Sequence, residues 1–313
     1  MTRFVLGRIL QMLPILFGVI LAVFILTHII PGDPVSLMLS ESYTNQEYKE
    51  MMIYLGLDKP LHVQFLNYLQ GVLTGDLGKS VHSSELVTTV IFRRFPATLV
   101  LAISAISISA LIAIPIGIIS ALKRNSLIDY VSMVGSQLGM SIPVFWWGIM
   151  LILLLSLRLN LLPAGGRGDP PDLIHLILPA FCLSAPYMAM TARLTRSCLL
   201  EVIRENYIMA ARSRGFSGAR VIIKHALRNA MIPVVTNLGL QLSRVMGGAL
   251  VIEVVFRWPG IGTLAYDSIM DKDYPLAMGV VILVAFMFIT INLLVDLSYT
   301  FFDPRIRYGR KGS

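Results

Sequence analysis

The chain has 313 residues, 56% hydrophobic and only 14% charged, with a mean hydropathy of +0.74 and a formal net charge of +8. Soluble domains carry about 25% charged residues, so a soluble globular protein is excluded and an integral membrane protein built from apolar runs of ~20 residues is expected. The basic residues flank the apolar runs, which is a membrane pattern and not a nucleic-acid-binding one. Cys182 and Cys198 would stand ~24 Å apart along one helix, too far for a disulfide.

In chain order, Arg3 and Arg8 precede an apolar run over residues 9–30. A secretory signal has a core of about 7–15 residues and a small-residue cleavage site. This run is longer and leaves through Pro31-Gly32-Asp33-Pro34, so it is read as an uncleaved first span. Residues 1–94 comprise this helix and a mixed, polar outer segment. Gly75-Asp76-Leu77-Gly78-Lys79-Ser80 imitates the end of a phosphate-binding loop, but that loop needs a glycine five positions before Gly78, where Leu73 stands. No nucleotide site is expected in the chain.

Residues 95–302 are expected to hold five further spans, at about 98–122, 131–156, 174–192, 231–255 and 277–302, ahead of a tail at 303–313. Ala105, Ser109 and Ala113 form a small-residue face in the second span, suited to close helix packing. Trp146 and Trp147 follow Pro143 in the third; packing and contact with a solute are both open to them. Pro179 and Pro186 lie inside the fourth, where freed carbonyls are tolerated against protein or a water-filled cavity. In the fifth, Gly239, Ser243 and Gly247 repeat at helical spacing. Asn237, Gln241 and Arg244 add polar groups there. A charge in mid-span is costly and marks a functional site by default, so Asn237, Gln241, Arg244 and Trp146 are the candidate pathway-lining residues. The competing account of Arg244 is an interhelical ion pair or a side chain snorkelling to the interface.

Between the fourth and fifth spans lies a charged segment, 193–230, that reads as two short helices. Tyr207, Ala210, Ala211 and Arg214 share one face at i, i+3, i+4 and i+7. Gly215 stands where a helix ends on a left-handed residue, and Ser217 can cap the next helix. There Ala219, Ile222, Ile223, Ala226, Leu227 and Ala230 make an apolar stripe opposite Arg220, Lys224 and Arg228, a pattern that lies flat on an anionic membrane. The first helix, with paired alanines and one ring, suits a groove of a partner protein. A linker resting on lipid is the competing account.

The segment resembles the cytoplasmic coupling loop of ABC importer permeases, within the dipeptide, oligopeptide and nickel group. The resemblance is carried by Tyr207, Ala211, Gly215, His225-Ala226-Leu227-Arg228-Asn229-Ala230 and Pro233. It is carried also by Pro31–Pro34, 55–60, Phe256-Arg257-Trp258-Pro259-Gly260-Ile261-Gly262, Asp273-Tyr274-Pro275 and 303–309. The family's acidic residue before the tyrosine is replaced by Asn206, with Glu205 one place early. The resemblance implies an all-α, six-span, type I ABC importer permease fold in the bacterial inner membrane. It implies that Glu205, Asn206, Tyr207, Ala210, Ala211, Arg214 and Gly215 couple the spans to an ATPase. Its partners would be a homologous second permease, two identical or paralogous ATPase subunits that bind ATP and magnesium, a periplasmic or lipid-anchored substrate-binding protein, and membrane lipid. The chain itself would carry no cofactor, metal or catalytic residue, and no nucleic acid is expected.

Six spans place both termini on one side. With the N-terminus inside, the inner segments hold Arg3, Arg8, Lys123, Arg124, eight basic residues from Arg193 to Arg228, and Arg305, Arg307, Arg310 and Lys311, well over half of the 26 Lys and Arg. An ion-driven secondary transporter is the alternative, but it would usually show acidic residues within spans. A membrane enzyme would need a cluster of Ser, His and Asp or of metal ligands, whereas the five histidines are scattered.

Overall fold

The structure is a computed structural model that describes residues 2–29, 35, 43–54 and 56–302. The signatures at 31–34 and 303–309 lie outside the described residues. The described chain is helical, with one isolated antiparallel bridge between Lys79 and Leu86. It falls into two compact units, one drawn from 1–96 and 260–293, the other from 97–259 and beyond 293.

In the first unit, α1 (Thr2–Ile29) packs against α3 (Leu61–Thr74), which follows the short α2 (Asn45–Tyr54). Phe65 meets Phe17 and Phe24 edge-on at 5.8 and 5.3 Å. Such aromatic pairs add to burial through the ring quadrupole. A second core joins Val87 and Ile91, at the start of α4 (Val87–Leu122), to Ile261 and Leu264 of α11 (Ile261–Met270) and Leu276 and Val280 of α12 (Tyr274–Phe302). The end of the Gly75–Ser80 segment meets the Asp273-Tyr274-Pro275 signature here: the Ser80 hydroxyl donates to Asp273 at 2.5 Å, with both residues buried. The other Asp273 oxygen accepts the Leu276 amide at 3.2 Å and so starts α12.

The second unit is organised around α7 (Ile174–Val202), which packs against α10 (Leu227–Val255), α5 (Leu127–Ser141) and α6 (Val144–Leu151). The small face of α4 is buried, with Ala105, Ser109 and Ala113 inaccessible. It continues one turn further to Gly117, where a Cβ would stand 2.6 Å from the Ala192 carbonyl. At the other end of this unit the Trp258 indole donates to the Ala97 carbonyl at 2.9 Å, and the Gly166 amide donates to the Phe256 carbonyl at 2.8 Å. Trp258 is 1% exposed, so this ring is a packing pillar of its loop. Before α7, Asp172 accepts the His175 amide and then its ring, which holds the Asp172 carboxyl below the ordinary carboxylate range.

Among the described residues four helices are long and apolar enough to cross a membrane: Val87–Leu122, Ile174–Val202, Gly218–Val255 and, over its described part, Tyr274–Leu293. In α1 the apolar stretch over the described residues is shorter, Leu10–Leu26. The third expected span is not straight. Leu127–Ser141 and Val144–Arg158 meet at 101°. The break is at Ile142-Pro143: Ile142 is extended, as a residue before proline prefers, and Pro143 donates no amide to the preceding turn. Helix α7 runs on to Val202, ten residues past the expected end of the fourth span, and α4 begins at Val87, ahead of the expected start of the second.

Candidate functional site

The elbow between α7 and α10 is built from a turn and one short helix, α8 (Asn206–Ser213). Glu205 occupies the cap position in an extended conformation, and its carbonyl accepts the Ile208 amide at 3.0 Å. Its side chain makes no capping bond. Eight residues are too few to hold a helix in water alone, so α8 depends on docking. Ile208 and Ala211, at i and i+3, enter a closed apolar cluster made by Ala121 of α4, Cys198 and Leu199 of α7, and Val221, Ala226 and Ala230. Gly215, at φ +79°, ends the helix in the left-handed region that costs an L side chain ~1–2 kcal/mol.

The expected shared face therefore divides. Ala211 turns inward, while Tyr207, Ala210 and Arg214 stay exposed, with Tyr207 at 41%. Asn229 fixes the exposed ring by donating to its hydroxyl at 2.8 Å. Glu205 and Asn206 are exposed beside it. Further along, Phe216 stacks on His225 at 5.8 Å between ring centres, and the Arg220 guanidinium lies 5.9 Å above Phe216. Arg204, Arg212, Arg214, Arg220, Lys224 and Arg228 are all exposed, so the elbow presents a cationic surface around a small apolar ridge.

Two expectations for the second half of the elbow are corrected. Ser217 sits at the cap position, but its side chain makes no capping bond. The second half is also not a separate helix lying flat: the helix continues without a break from Gly218 to Val255. A short α9 (Gly218–Arg220) leads into Val221–Ala226, which is wound as a π-helix. That wider turn shifts the buried face to Val221, Ala226 and Ala230, leaving Ala219 and Ile223 exposed. Sequence periodicity missed Val221 because it assumes 3.6 residues per turn. Ile208 was equally missed, although it is the one large β-branched side chain of α8 and stands three residues before Ala211.

The candidate pathway residues are not brought together. Gln241 is fully buried and exchanges hydrogen bonds with Thr191 of α7 at 3.2 and 3.3 Å, so within this chain it joins helices and lines nothing. Asn237 is partly buried, with an amide nitrogen that has no partner among the described residues. Arg244 is exposed and makes no ion pair among the described residues. Trp146 is 43% exposed and meets Trp147 edge-on at 6.0 Å. Of the second small-residue face, Ser243 is buried, whereas Gly239 and Gly247 have no atom within 4 Å of where a Cβ would be. Among the described residues no group of three His, Cys, Asp or Glu could hold a metal ion.

Below the elbow, an ionic knot ties three helices. Arg196 of α7 donates to both oxygens of Asp129 of α5, through Nε at 2.6 Å and Nη2 at 2.8 Å. Asp129 also accepts the Ser120 hydroxyl of α4 at 2.5 Å and the Asn125 amide at 3.0 Å. Four donors leave the buried carboxylate no unsatisfied lone pair to speak of, the condition under which a buried ion pair is tolerated.

Residues 113–308 match the family described as binding-protein-dependent transport system inner membrane component, and residues 1–102 match its N-terminal membrane component. The chain is 41% identical to the dipeptide transport system permease protein DppB of Escherichia coli K12 over 339 aligned positions, covering 99% of this chain and all of that one. It is 38% identical to the oligopeptide permease AppB of Bacillus subtilis and 42% to the glutathione permease GsiC of Salmonella choleraesuis, covering 98% of this chain and all of each relative. The inward-facing MetNI methionine ABC transporter shares the fold, with a TM-score of 0.57 at 18% identity over 68% of this chain and 96% of that one. The chain belongs to the binding-protein-dependent transport system inner membrane component family, as a multi-pass permease subunit of an ABC importer in the cytoplasmic membrane with the type I permease fold.

Proposed function

We propose that the exposed ridge of α8, Tyr207, Ala210 and Arg214 with Glu205 and Asn206 at its start, docks in a groove of a separate ATPase subunit and carries that subunit's stroke into the membrane. The observation that carries this reading is the seating of Ile208 and Ala211 between α4, α7 and the start of the long helix into α10. A force on the ridge is passed to three long helices at once, because packed cores shift between discrete arrangements and do not yield gradually.

In this reading the chain forms half of a translocation pathway with a homologous second permease. Two ATPase subunits, identical or paralogous, bind ATP and magnesium and do the hydrolysis, and a substrate-binding protein delivers the cargo. The spans number six, with both termini and the elbow on the cytoplasmic side. The cargo class is a peptide or related small solute, in keeping with the dipeptide, oligopeptide and glutathione permeases named above. Arg244, exposed in α10 and without an ion pair among the described residues, is proposed to face the pathway.

The test is Gly215→Val in the assembled transporter. Valine is strained at φ +79°, and a β-branched residue resists the left-handed region more than most. Cargo-stimulated ATP hydrolysis falls while the permease still inserts and assembles. Unchanged stimulation in a fully assembled complex removes the lever from the mechanism.

A further inference from the structure

On one face of α7, side chains recur three or four residues apart and change character along the helix. Phe181, Ala185, Ala189 and Ala192 line an apolar groove of about 430 Å³, closed on the other side by residues of α5 that include Val131 and Gly135. One turn beyond Ala192 the same face reaches Arg196 and Leu200, and these line a polar cleft of about 280 Å³ with Arg204 in the turn after the helix and with Arg124, Asn125, Ser197 and Glu201. The apolar wall from Phe181 to Ala192 is ~16 Å long. Val131 and Phe181 at the rim of the groove are exposed, as are Leu127 and Ile128 beside the cleft.

The cleft is held rigid. The turn carrying Arg124 and Asn125 is tied down by the Asn125 amide on Asp129, and Arg196 is fixed by its two bonds to the same carboxylate. Asp129 neutralises Arg196, and Glu201 offsets one of Arg124 and Arg204. One net positive charge remains, with several donors around it, including Arg196 Nη1, which has no hydrogen-bond partner among the described residues. That is the complement of a singly charged phosphodiester.

We propose that this cleft and groove together bind one anionic phospholipid, with the phosphodiester between Arg124 and Arg204 and an acyl chain along Phe181–Ala192. The apolar groove selects a lipid over free phosphate. Basic pockets between membrane helices are the usual seats of anionic headgroups.

The experiment uses the assembled transporter in lipid nanodiscs of phosphatidylcholine with a small fraction of phosphatidylglycerol. Retained phosphatidylglycerol is counted by native mass spectrometry. Arg124→Gln with Arg204→Gln is expected to lower retention about 25-fold. That is about fivefold for each arginine, the equivalent of ~1 kcal/mol per basic residue at 1.4 kcal/mol per tenfold. The double lysine variant keeps the charge and is expected to restore retention, which separates charge from folding. Gly135 has open space where a Cβ would be. Gly135→Leu is therefore expected to weaken long-chain phosphatidylglycerol severalfold while sparing a short-chain form. Unchanged retention in the glutamine variant overturns the proposal. So does displacement of the lipid by inorganic phosphate, which would mark a free-anion site. Loss of the ATPase subunits with phosphatidylglycerol still bound would assign the arginines to that partner and overturn it as well.

Discussion

Truncating Ile208 to alanine probes the docking of the elbow without touching its exposed ridge. Ile208 is fully buried in the cluster with Leu199, Val221 and Ala226. The change removes three carbons, ~2.4 kcal/mol of transfer free energy at ~0.8 kcal/mol per methylene. The unfilled space adds to this, so ~3 kcal/mol is expected within the ~2–5 kcal/mol range for such truncations. An eight-residue helix has no stability of its own to absorb that loss. The docked-to-undocked ratio of α8 should therefore fall about a hundredfold, at 1.4 kcal/mol per tenfold. Hydrogen–deuterium exchange of the assembled transporter should show faster exchange confined to residues 205–216, with the long helices unchanged. Cargo-stimulated ATPase activity should drop in step. Ile208→Val, costing ~1 kcal/mol, should fall between the two. Unaltered exchange in the elbow together with full stimulation would refute the claim that the ridge is held by this cluster.

Other sites give independent tests. Gly117→Leu places a side chain against the Ala192 carbonyl, 2.6 Å from the first added atom; backbone cannot yield, so detergent-extracted protein should aggregate or lose tens of per cent of its folded yield, read by size-exclusion chromatography (on the order of a 1–3 kcal/mol overpacking cost). Asp129→Ala leaves Arg196 without its partner and should destabilise by ~3 kcal/mol. The double variant with Arg196→Met should recover much of that loss in a thermal-shift assay, because the unpaired charge is gone; no recovery would mean the knot is not a coupled pair. Arg244→Ala is expected to alter cargo affinity or choice in a reconstituted uptake assay while leaving folded yield near that of the parent. The reverse pattern, normal uptake with poor yield, would give Arg244 a structural role.

Residue order alone determined the membrane class, because apolar runs and their basic flanks are local facts that no folding can rearrange. The left-handed stop at Gly215 and the close-packing face at Ala105, Ser109 and Ala113 were also legible, since each follows from helical spacing and the absence of a bulky side chain. The Gly75–Ser80 segment and the Asp273-Tyr274-Pro275 signature stand out separately in the sequence, but not as partners: Ser80 and Asp273 are 193 residues apart, and only the fold joins them through a hydrogen bond.

Tertiary structure alone decided what faces inward. The π-wound turn at Val221–Ala226 breaks the 3.6-residue register, so only part of the expected apolar stripe is buried: Ala226 and Ala230 are, Ala219 and Ile223 are not. Gln241 looked like a pathway residue because mid-span polarity is costly, yet the cost is met by Thr191 on a helix fifty residues earlier. The pairing of Asp129 with Arg196, and the alignment of an apolar groove with a basic cleft along α7, likewise arise from helices meeting across long sequence separations. Periodicity describes one helix in isolation; burial, charge pairing and cavities belong to the neighbours that pack against it.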